Sequence, residues 1–569
     1  MAGGGSRSIA GKGARANDLL MQGASGFDPE TGIYQSLLRL NGDEKIPVVP
    51  ELDTATYILS FLARIDRPEM KAAFIDASTD SRLSFKDFCR SVKSLAAGLY
   101  GAIGVRRGDV VFVLAPNSIM YPVICLAVLS VGAILTTANP LNTTSEIAKQ
   151  VTNSGARFAI SAPEELHKLV STGILTLLTV KMKSKGLTSV EELIESHDPV
   201  DLVVERPRQS DTAAILYSSG TTGVSKGVIL THYNLISIVS LLGWSIRVSS
   251  STNDVFLCFI PMFHIYGLAF FALGLLCSGI TSVVMQRFDL QTMIDAIQTH
   301  KVNNIAAVPP VILALVKHNG ETKHELMSLR RVGSGAAPLS KELSDEFRKK
   351  FPWVGIAQGY GLTESSGGAT FFPTEEEAKE HPGSCGRLIP EFSAKVVHPE
   401  SGLSLPPYKE GELWLKGPSI MKGYLGNEEA TRATLDPDGW LKTGDLCYID
   451  GEGYVYIVDR IKELIKHNGY QVAPAELEAL LLSHPEILDS AVIPIEDKEA
   501  GQAPMAYVVK KTGSNLTEER VIGYVAKNVA PYKKVRRVEF ITAIPKSAAG
   551  KILRKELISR SQQLRISKL

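Results

Sequence analysis

The sequence has no paired cysteines. Its six (Cys89, Cys125, Cys258, Cys277, Cys385, Cys447) lie far apart, with no CxxC pair. That spacing matches neither a zinc-ligand pattern nor a disulfide framework, and it suits a reducing compartment. Charge excess is missing too: Lys plus Arg is 61 against 60 for Asp plus Glu. Such balance removes the electrostatic reason to expect nucleic acid or an anionic membrane as partner. The opening stretch MAGGGSRSIAGKGARAND has no apolar segment and is not a secretory signal. Its Gly, Ser and Ala content predicts a flexible tail over residues 1–40. Internal repeats are absent, and long apolar runs are scarce. Ile265 to Met285 is uncharged and long enough to cross a bilayer. Glycines and a serine punctuate it, however, and β-branched residues gather at its end. Buried helix and strand are therefore expected there, without a transmembrane segment.

The chain has 569 residues, more than one hydrophobic core usually serves. From about residue 70 to 400, short β-rich runs alternate with helical patterns. VVFVLAP precedes SIMYPVICLAVLS, TAAILYSS precedes THYNLISIVSLL, and RRVGSGAAP precedes LSKELSDEFRKKF. This alternation predicts an α/β fold of largely parallel sheets covered by helices. Ligands in such sheets bind where loops leave the C-terminal ends of strands. GELWLKG, GWLKTGDLCYID and GYVYIVD then read as a small β subdomain. After DRIKELIKHNGYQVAP comes an α+β unit of about a hundred residues, enough for a domain of its own. The boundaries expected are 1–40 (tail), 41–458 (large N-terminal domain) and 459–569 (small, mobile C-terminal domain).

Tyr217–Gly227 reads YSSGTTGVSKG: glycines, hydroxyls and one lysine after an apolar run. It fails the P-loop pattern, because Lys226 is followed by glycine and the second glycine comes early. A strand–loop–helix setting is expected, with free N–H groups and hydroxyls wrapping phosphate oxygens and the cation offsetting charge. The plainer alternative is a structural glycine linker.

Five motifs in order then carry a resemblance: YSSGTTGVSKG, YGLTE, TGD, DRIKELIK and PKSAAGKILRKEL. Together they resemble the adenylate-forming superfamily of acyl-CoA synthetases and insect luciferases. PMFHIYGL, GSGAAPL and GYQVAPAELE bring the likeness nearer to plant 4-coumarate–CoA ligases and their peroxisomal relatives. The resemblance spans about residues 40–558. It implies two half-reactions in one site. A carboxylate attacks the α-phosphorus of Mg-ATP and releases pyrophosphate; the CoA thiol then displaces AMP. Bringing two anions together calls for neutralisation and alignment more than acid–base chemistry.

The resemblance implies roles for individual residues. Ser218, Ser219, Gly220, Thr221, Thr222 and Lys226 would hold the β- and γ-phosphates, Thr363 the α-phosphate, and Glu364 a Mg²⁺ ion. Ala336, Gln358, Gly359 and Tyr360 would line the adenine. Asp445 would accept from the ribose hydroxyls, with Arg460 nearby. Lys551 would reach the carboxylate and α-phosphate, while Lys546, Lys555 and Arg554 read as solvated neighbours. His264 would gate the acyl side, although a lone histidine in apolar surroundings is more often a core residue. Tyr266, Phe270, Gly335, Pro338 and Leu339 would border the acyl pocket. Lys462, Lys466 and Gln471 would contact ATP or AMP, and Asn468 and Gly469 CoA; all lie just past a hinge at Asp459, about which the C-terminal domain would rotate to open a CoA channel. Arg287 stands where coumarate ligases often carry a CoA-facing lysine, and Asn468 stands where lysine is common. The SSGGATFF segment also departs from coumarate ligases. Hydroxycinnamates, fatty acids and jasmonate-precursor acids are therefore all candidate substrates, with ATP, CoA and Mg²⁺. A luciferase-like oxygenase and a non-catalytic acyl-adenylate binder are the alternatives. The tripeptide Ser567-Lys568-Leu569 reads as a peroxisomal address for the import receptor.

Overall fold

The structure is a computed structural model. It describes residues 25–40, 45–182, 186–200, 202, 205–218, 225–251, 253–318, 320, 322–467, 470–497, 500–547 and 550–566. Two seven-stranded sheets, mostly parallel, form the large N-terminal part. One is built around Val110–Leu114, Ile134–Thr137, Phe158–Ser161 and Thr212–Ser218. The other is built around Val255–Cys258, Thr281–Val284, Asn304–Ala307, Arg331–Ser334 and Gly355–Gln358. These strands read as unbroken apolar runs because helices cover both faces; Phe112, Val113 and Leu114 are fully buried. The apolar run from Ile265 divides into the short helical pieces Ile265–Gly267, Leu268–Gly274 and Leu275–Cys277, then the strand Thr281–Val284. Among the described residues no helix is long and apolar enough to cross a membrane. Gly267 is needed at that turn: a β-carbon there would sit 2.2 Å from the Pro261 carbonyl oxygen.

An antiparallel six-stranded sheet forms the β subdomain. It includes a segment expected to be tail. Phe27–Asp28 and Ile33–Gln35 form a hairpin whose second strand pairs with Ser393–Val397. The reason is the buried Tyr34, which is 1% exposed, donates to the Leu405 carbonyl at 2.9 Å and packs against Phe27. A flexible tail through residue 40 is therefore corrected.

A separate five-stranded sheet near the C-terminus has its own cores on its two faces. Leu477, Leu481, Val521 and Val525 cover one face, and Ile544 and Leu557 the other. The boundary expected at Asp459 falls inside the last strand of the β subdomain, Val455–Arg460. There the Asp459 carboxylate accepts from the Arg460 amide at 2.7 Å and from the Ala475 amide at 3.0 Å, at the start of the next helix.

The site rests on β1 (Thr212–Ser218), β2 (Lys226–Thr231), α1 (His232–Ser249), α2 (Pro309–Lys317), β3 (Arg331–Ser334) and β4 (Gly355–Gln358). Further along the chain come β5 (Gly423–Tyr424), β6 (Leu441–Ile449), β7 (Val455–Arg460), α3 (Pro474–Leu482), β8 (Ile487–Asp497) and α4 (Arg554–Ile566). The strand–loop–helix reading of the glycine loop is corrected here. β1 and β2 are antiparallel neighbours, with Lys226 opposite Ser218, and the helix starts only at His232. KGVILT is a strand because its β-branched residues fill a half-buried sheet, with Val228 and Leu230 fully buried. Lys226 thus opens a strand and does not sit at a helix N-terminus.

Candidate active site

A cavity of about 1130 Å³ lies between the two large sheets, the β subdomain and the C-terminal unit. Ser218 and Lys226 line one wall from the base of the β1–β2 hairpin. The Lys226 ammonium sits 4.6 Å from the centroid of the Tyr424 ring. The Tyr424 hydroxyl in turn donates to Glu364 Oε1 at 2.9 Å. Tyr424 reaches this place because β5 pairs with β2, Tyr424 opposite Val228. Its role is not visible in the sequence, where it sits in an unremarked KGYLG turn. Ser219, Gly220, Thr221 and Thr222 lie outside the described residues.

Glu364 lines the cavity with one carboxylate oxygen tied to Tyr424. A carboxylate on this wall is the oxygen donor a hard cation takes, so the chemistry of the group fits Mg²⁺. Thr363 lines the cavity beside it. Ala336, also on the wall, has φ +65, a left-handed conformation that costs a β-carbon-bearing residue about 1–2 kcal/mol. Gln358, Gly359 and Tyr360 form the next stretch of wall from the end of β4. The Gln358 amide is fixed at both ends: its oxygen accepts from the Leu339 amide at 3.0 Å, and its nitrogen donates to the Gly383 carbonyl at 3.0 Å.

Asp445 does not reach the cavity wall. It is 3% exposed; Tyr360 donates to its Oδ2 at 2.5 Å, and Arg460 lies 3.4 Å from its Oδ1. β6 and β7 place Asp445 and Arg460 directly opposite each other. Burial pushes the carboxyl pKa up, opposed by the Arg460 charge. The wall in front of it is made by Thr443, Gly444, Tyr360 and Arg460. Burial, then the Asp445 charge, holds the Tyr360 phenol far above its usual range, so it stays a donor.

On the acyl side, His264 caps a short helix: its Nδ1 accepts from the Tyr266 amide at 3.3 Å. Burial lowers its pKa to about 4, so the ring is neutral near pH 7. With Nδ1 accepting, the ring proton sits on Nε2, which makes His264 a donor toward the cavity and a poor base. Tyr266, Phe270 and Gly335 line the adjoining wall. Gly335 gives the Tyr266 ring its room, because a β-carbon would press on that ring at 3.1 Å. Pro338 and Leu339 do not line the cavity; Pro338 is exposed, and Leu339 is buried with its backbone amide on Gln358. Their expected place in the acyl pocket is corrected. The cavity instead continues past Phe256, Leu242 and Ile246 along β3, over Gly333, to Arg331. Arg331 pairs with Glu375 at 2.8 Å and donates to Ser250 Oγ at 3.3 Å. Helical contacts from α1 give no sequence signal that they face this space, so Leu242 and Ile246 escaped sequence reasoning.

The C-terminal unit contributes Lys551 and Ser547 to the same cavity. Ser547 donates its amide to the Lys551 carbonyl at 2.7 Å, closing a tight turn. Burial and the nearby Arg460 charge lower the Lys551 pKa to about 8, against the pull of Glu463 and Asp445. Two neighbours read as solvated are held instead. Arg554 Nη2 donates to both carboxylate oxygens of Glu478 at 2.8 Å, and Nη1 pairs with Glu463 at 3.0 Å. Lys546 pairs with Asp489 at 2.6 Å. Lys462 is exposed and lines the cavity mouth, whereas Lys466, Gln471 and Arg287 are exposed and lie outside it. Asn468 and Gly469 fall outside the described residues.

A cation from each domain therefore shares one cavity with a carboxylate and a neutral histidine, and comparison with known proteins agrees with that chemistry. Residues 61–425 match the AMP-binding enzyme family, and residues 476–551 match the AMP-binding enzyme C-terminal domain. The chain belongs to this family. A probable CoA ligase of Humulus lupulus, CCL5, is 50% identical over 86% of this chain and 90% of its own length. Peroxisomal OPC-8:0-CoA ligase 1 of Arabidopsis thaliana is 50% identical over 90% of this chain and 94% of its own. Among solved structures, ATP-bound MatB of Rhodopseudomonas palustris superposes with a TM-score of 0.79 at 27% identity. It covers 89% of this chain and 98% of MatB. The chain is an AMP-forming acid–CoA ligase with the adenylate-forming enzyme fold.

Proposed function

We propose that this cavity runs both half-reactions, and that the orientation seen here serves the first. The observation that carries this is Lys551: it belongs to the C-terminal unit yet lines the cavity shared with Lys226, His264 and Glu364. Lys226 and the glycine loop offset the pyrophosphate half of ATP. The Lys551 ammonium spans the carboxylate and the α-phosphate as negative charge gathers between them. The carboxylate oxygen forms a bond to the α-phosphorus, the bond to the bridging oxygen breaks, and pyrophosphate leaves. Mg²⁺, held by Glu364, would neutralise phosphate charge. His264 donates from Nε2 to an oxygen of the acid, which aligns it without taking a proton. Tyr360, Thr443 and Arg460 face the nucleoside, and Asp445 acts by holding Tyr360 and Arg460 in place. For the second step the C-terminal unit, from residue 459, turns about Asp459. That motion withdraws Lys551 and presents Asn468 and Gly469 to CoA, with Arg287 a further phosphate contact, while Lys462, Lys466 and Gln471 serve the nucleotide.

The acyl arm supports a medium or long acid over a short one. It runs along β3 from Gly335 to Arg331, about 13 Å at the rise of a strand, between apolar side chains of α1 and Phe256 and Phe270. Fatty acids and jasmonate-precursor acids fit this length, and hydroxycinnamates would fill only its inner part. Peroxisomal import is supported by the sequence Ser567-Lys568-Leu569 and by the peroxisomal Arabidopsis relative. The test is CoA-dependent AMP formation over hydroxycinnamates, benzoate, graded fatty acids and jasmonate precursors, with pyrophosphate followed separately. Highest kcat/KM for a short aromatic acid would overturn the acyl-arm reading. A fluorescent fusion that stays in the cytosol would overturn the location.

A further inference from the structure

Helix α2 belongs to the N-terminal core, yet both of its ends touch the C-terminal unit. At its start, Val308 and Pro310 pack on Gly550, next to Lys551; a β-carbon on Gly550 would lie 3.0 Å from Val308 Cγ2. At its end, the Lys317 ammonium donates to the carbonyls of Ile487 at 3.1 Å and Leu488 at 2.8 Å, at the start of β8. Lys317 is free to reach outward because another lysine tends its own helix end. Lys350 donates to the carbonyls of Leu315 at 3.2 Å and Val316 at 2.7 Å. The next residue on β8, Asp489, holds Lys546 at 2.6 Å, and Lys546 bridges Ile552 across the turn that carries Lys551. One continuous path thus runs from Lys317 through residues 487–489 and Lys546 to Lys551. Burial lowers the Lys317 pKa, with the Asp489 charge opposing, so the ammonium is partly desolvated where it meets the carbonyls.

We propose that Lys317 is a positioning residue, a latch that holds the C-terminal unit in the orientation that places Lys551 in the cavity. It acts on the first half-reaction and must release before thioester formation. This rests on the two-orientation reading above. The contact is made of charge-assisted hydrogen bonds, whose loss shifts an equilibrium by roughly tenfold. No covalent bond opposes release, and the two carbonyls can return to water.

The test uses the full chain with fluorophores on genetically encoded amino acids at Met70 and Lys527, both exposed and one in each unit. Single-molecule energy transfer with Mg-ATP should show one dominant distance in the wild type. Lys317→Met should gain a second population, and Lys317→Arg should retain the first. An unchanged distribution in Lys317→Met would overturn the latch. In parallel, Lys317→Met should slow acid-dependent ATP–pyrophosphate exchange roughly tenfold and leave thioester formation from supplied acyl-adenylate unchanged or faster. Equal slowing of both steps would also overturn the latch. A wild type that exchanges with no acid would instead sink the ligase chemistry, and the distance distributions would still decide the latch.

Discussion

Lys551 is a cation held in a partly buried place, and its pKa near 8 makes its charge conditional. It is protonated at pH 7 and loses its proton as pH rises through 8, because burial and Arg460 favour the neutral amine. The pyrophosphate-releasing step should therefore fall above pH 8, while thioester formation from supplied acyl-adenylate should not follow that titration. Lys551→Ala should cost the first step on the order of 10²–10³-fold, the usual loss for one donor to developing charge. Single-turnover kinetics of each half-reaction would measure the split, and equal losses would refute it. His264 shows the opposite kind of titration. Its folded pKa is about 4 against 6.5 unfolded, so between these values the unfolded chain binds more protons. Its contribution to stability is complete above about 6.5 and is lost as pH falls toward 4. Buried His232 adds to the same window, with its pKa also near 4. The melting temperature should fall over that range, and less so in His264→Gln. The histidine was legible as a candidate from PMFHIY, but its protonation state was not, because burial decides it.

Strands set the reach of the site. On β3, Gly333 faces the acyl arm with open space: a β-carbon there would meet only the Ile305 carbonyl oxygen, at 3.9 Å. Gly333→Val should leave the fold intact and place a branched side chain in the middle of the arm. Long fatty acids should lose kcat/KM, by about 1–3 kcal/mol or 10–200-fold, with short acids little changed. A chain-length series in both proteins tests this; a uniform loss would place the arm elsewhere. The β1–β2 hairpin and β5 act together through Tyr424, which touches Lys226 and bonds Glu364. Tyr424→Phe keeps the ring under the lysine and removes the hydrogen bond, worth about 1 kcal/mol. The KM for Mg-ATP should rise about fivefold with little change in melting temperature. Alternating patterns announced β1 and β3, and the helices His232–Ser249 and Lys341–Lys350 further along, since a 3.6 or 2 residue period is local. Tyr424 was invisible for the converse reason: its function depends on which strand β5 pairs with.

The molecule as a whole is two units, each with its own buried cores, that meet at the end of β7 and along α2, with charge at the joint. Arg554 lies behind Lys551, between Glu478 and Glu463, close to Asp459, and the Glu478 carboxyl is pushed up to about 7 by burial. Removing one partner from such a cluster leaves uncompensated buried charge, a cost of about 3–5 kcal/mol. Arg554→Met should lower the melting temperature of the C-terminal unit, and calorimetry should show the N-terminal transition unmoved. A single unshifted transition would contradict this.

The sequence by itself determined the family, the reaction, the alternation of strand and helix, and most of the residues gathered at the cavity. The family and the reaction are carried by the resemblance of five ordered motifs to known enzymes, and the strand–helix alternation by local hydrophobic patterning. Only the tertiary structure decided that the glycine loop bridges two antiparallel strands. It also placed Asp445 behind Tyr360, kept Pro338 and Leu339 off the cavity wall, and joined residues 27–35 to the β subdomain. It alone brought Leu242, Gly333 and Arg331 into one arm, and Lys317 onto β8. These facts depend on contacts between segments tens to hundreds of residues apart, and no local pattern records which partner a buried face or a free ammonium will meet.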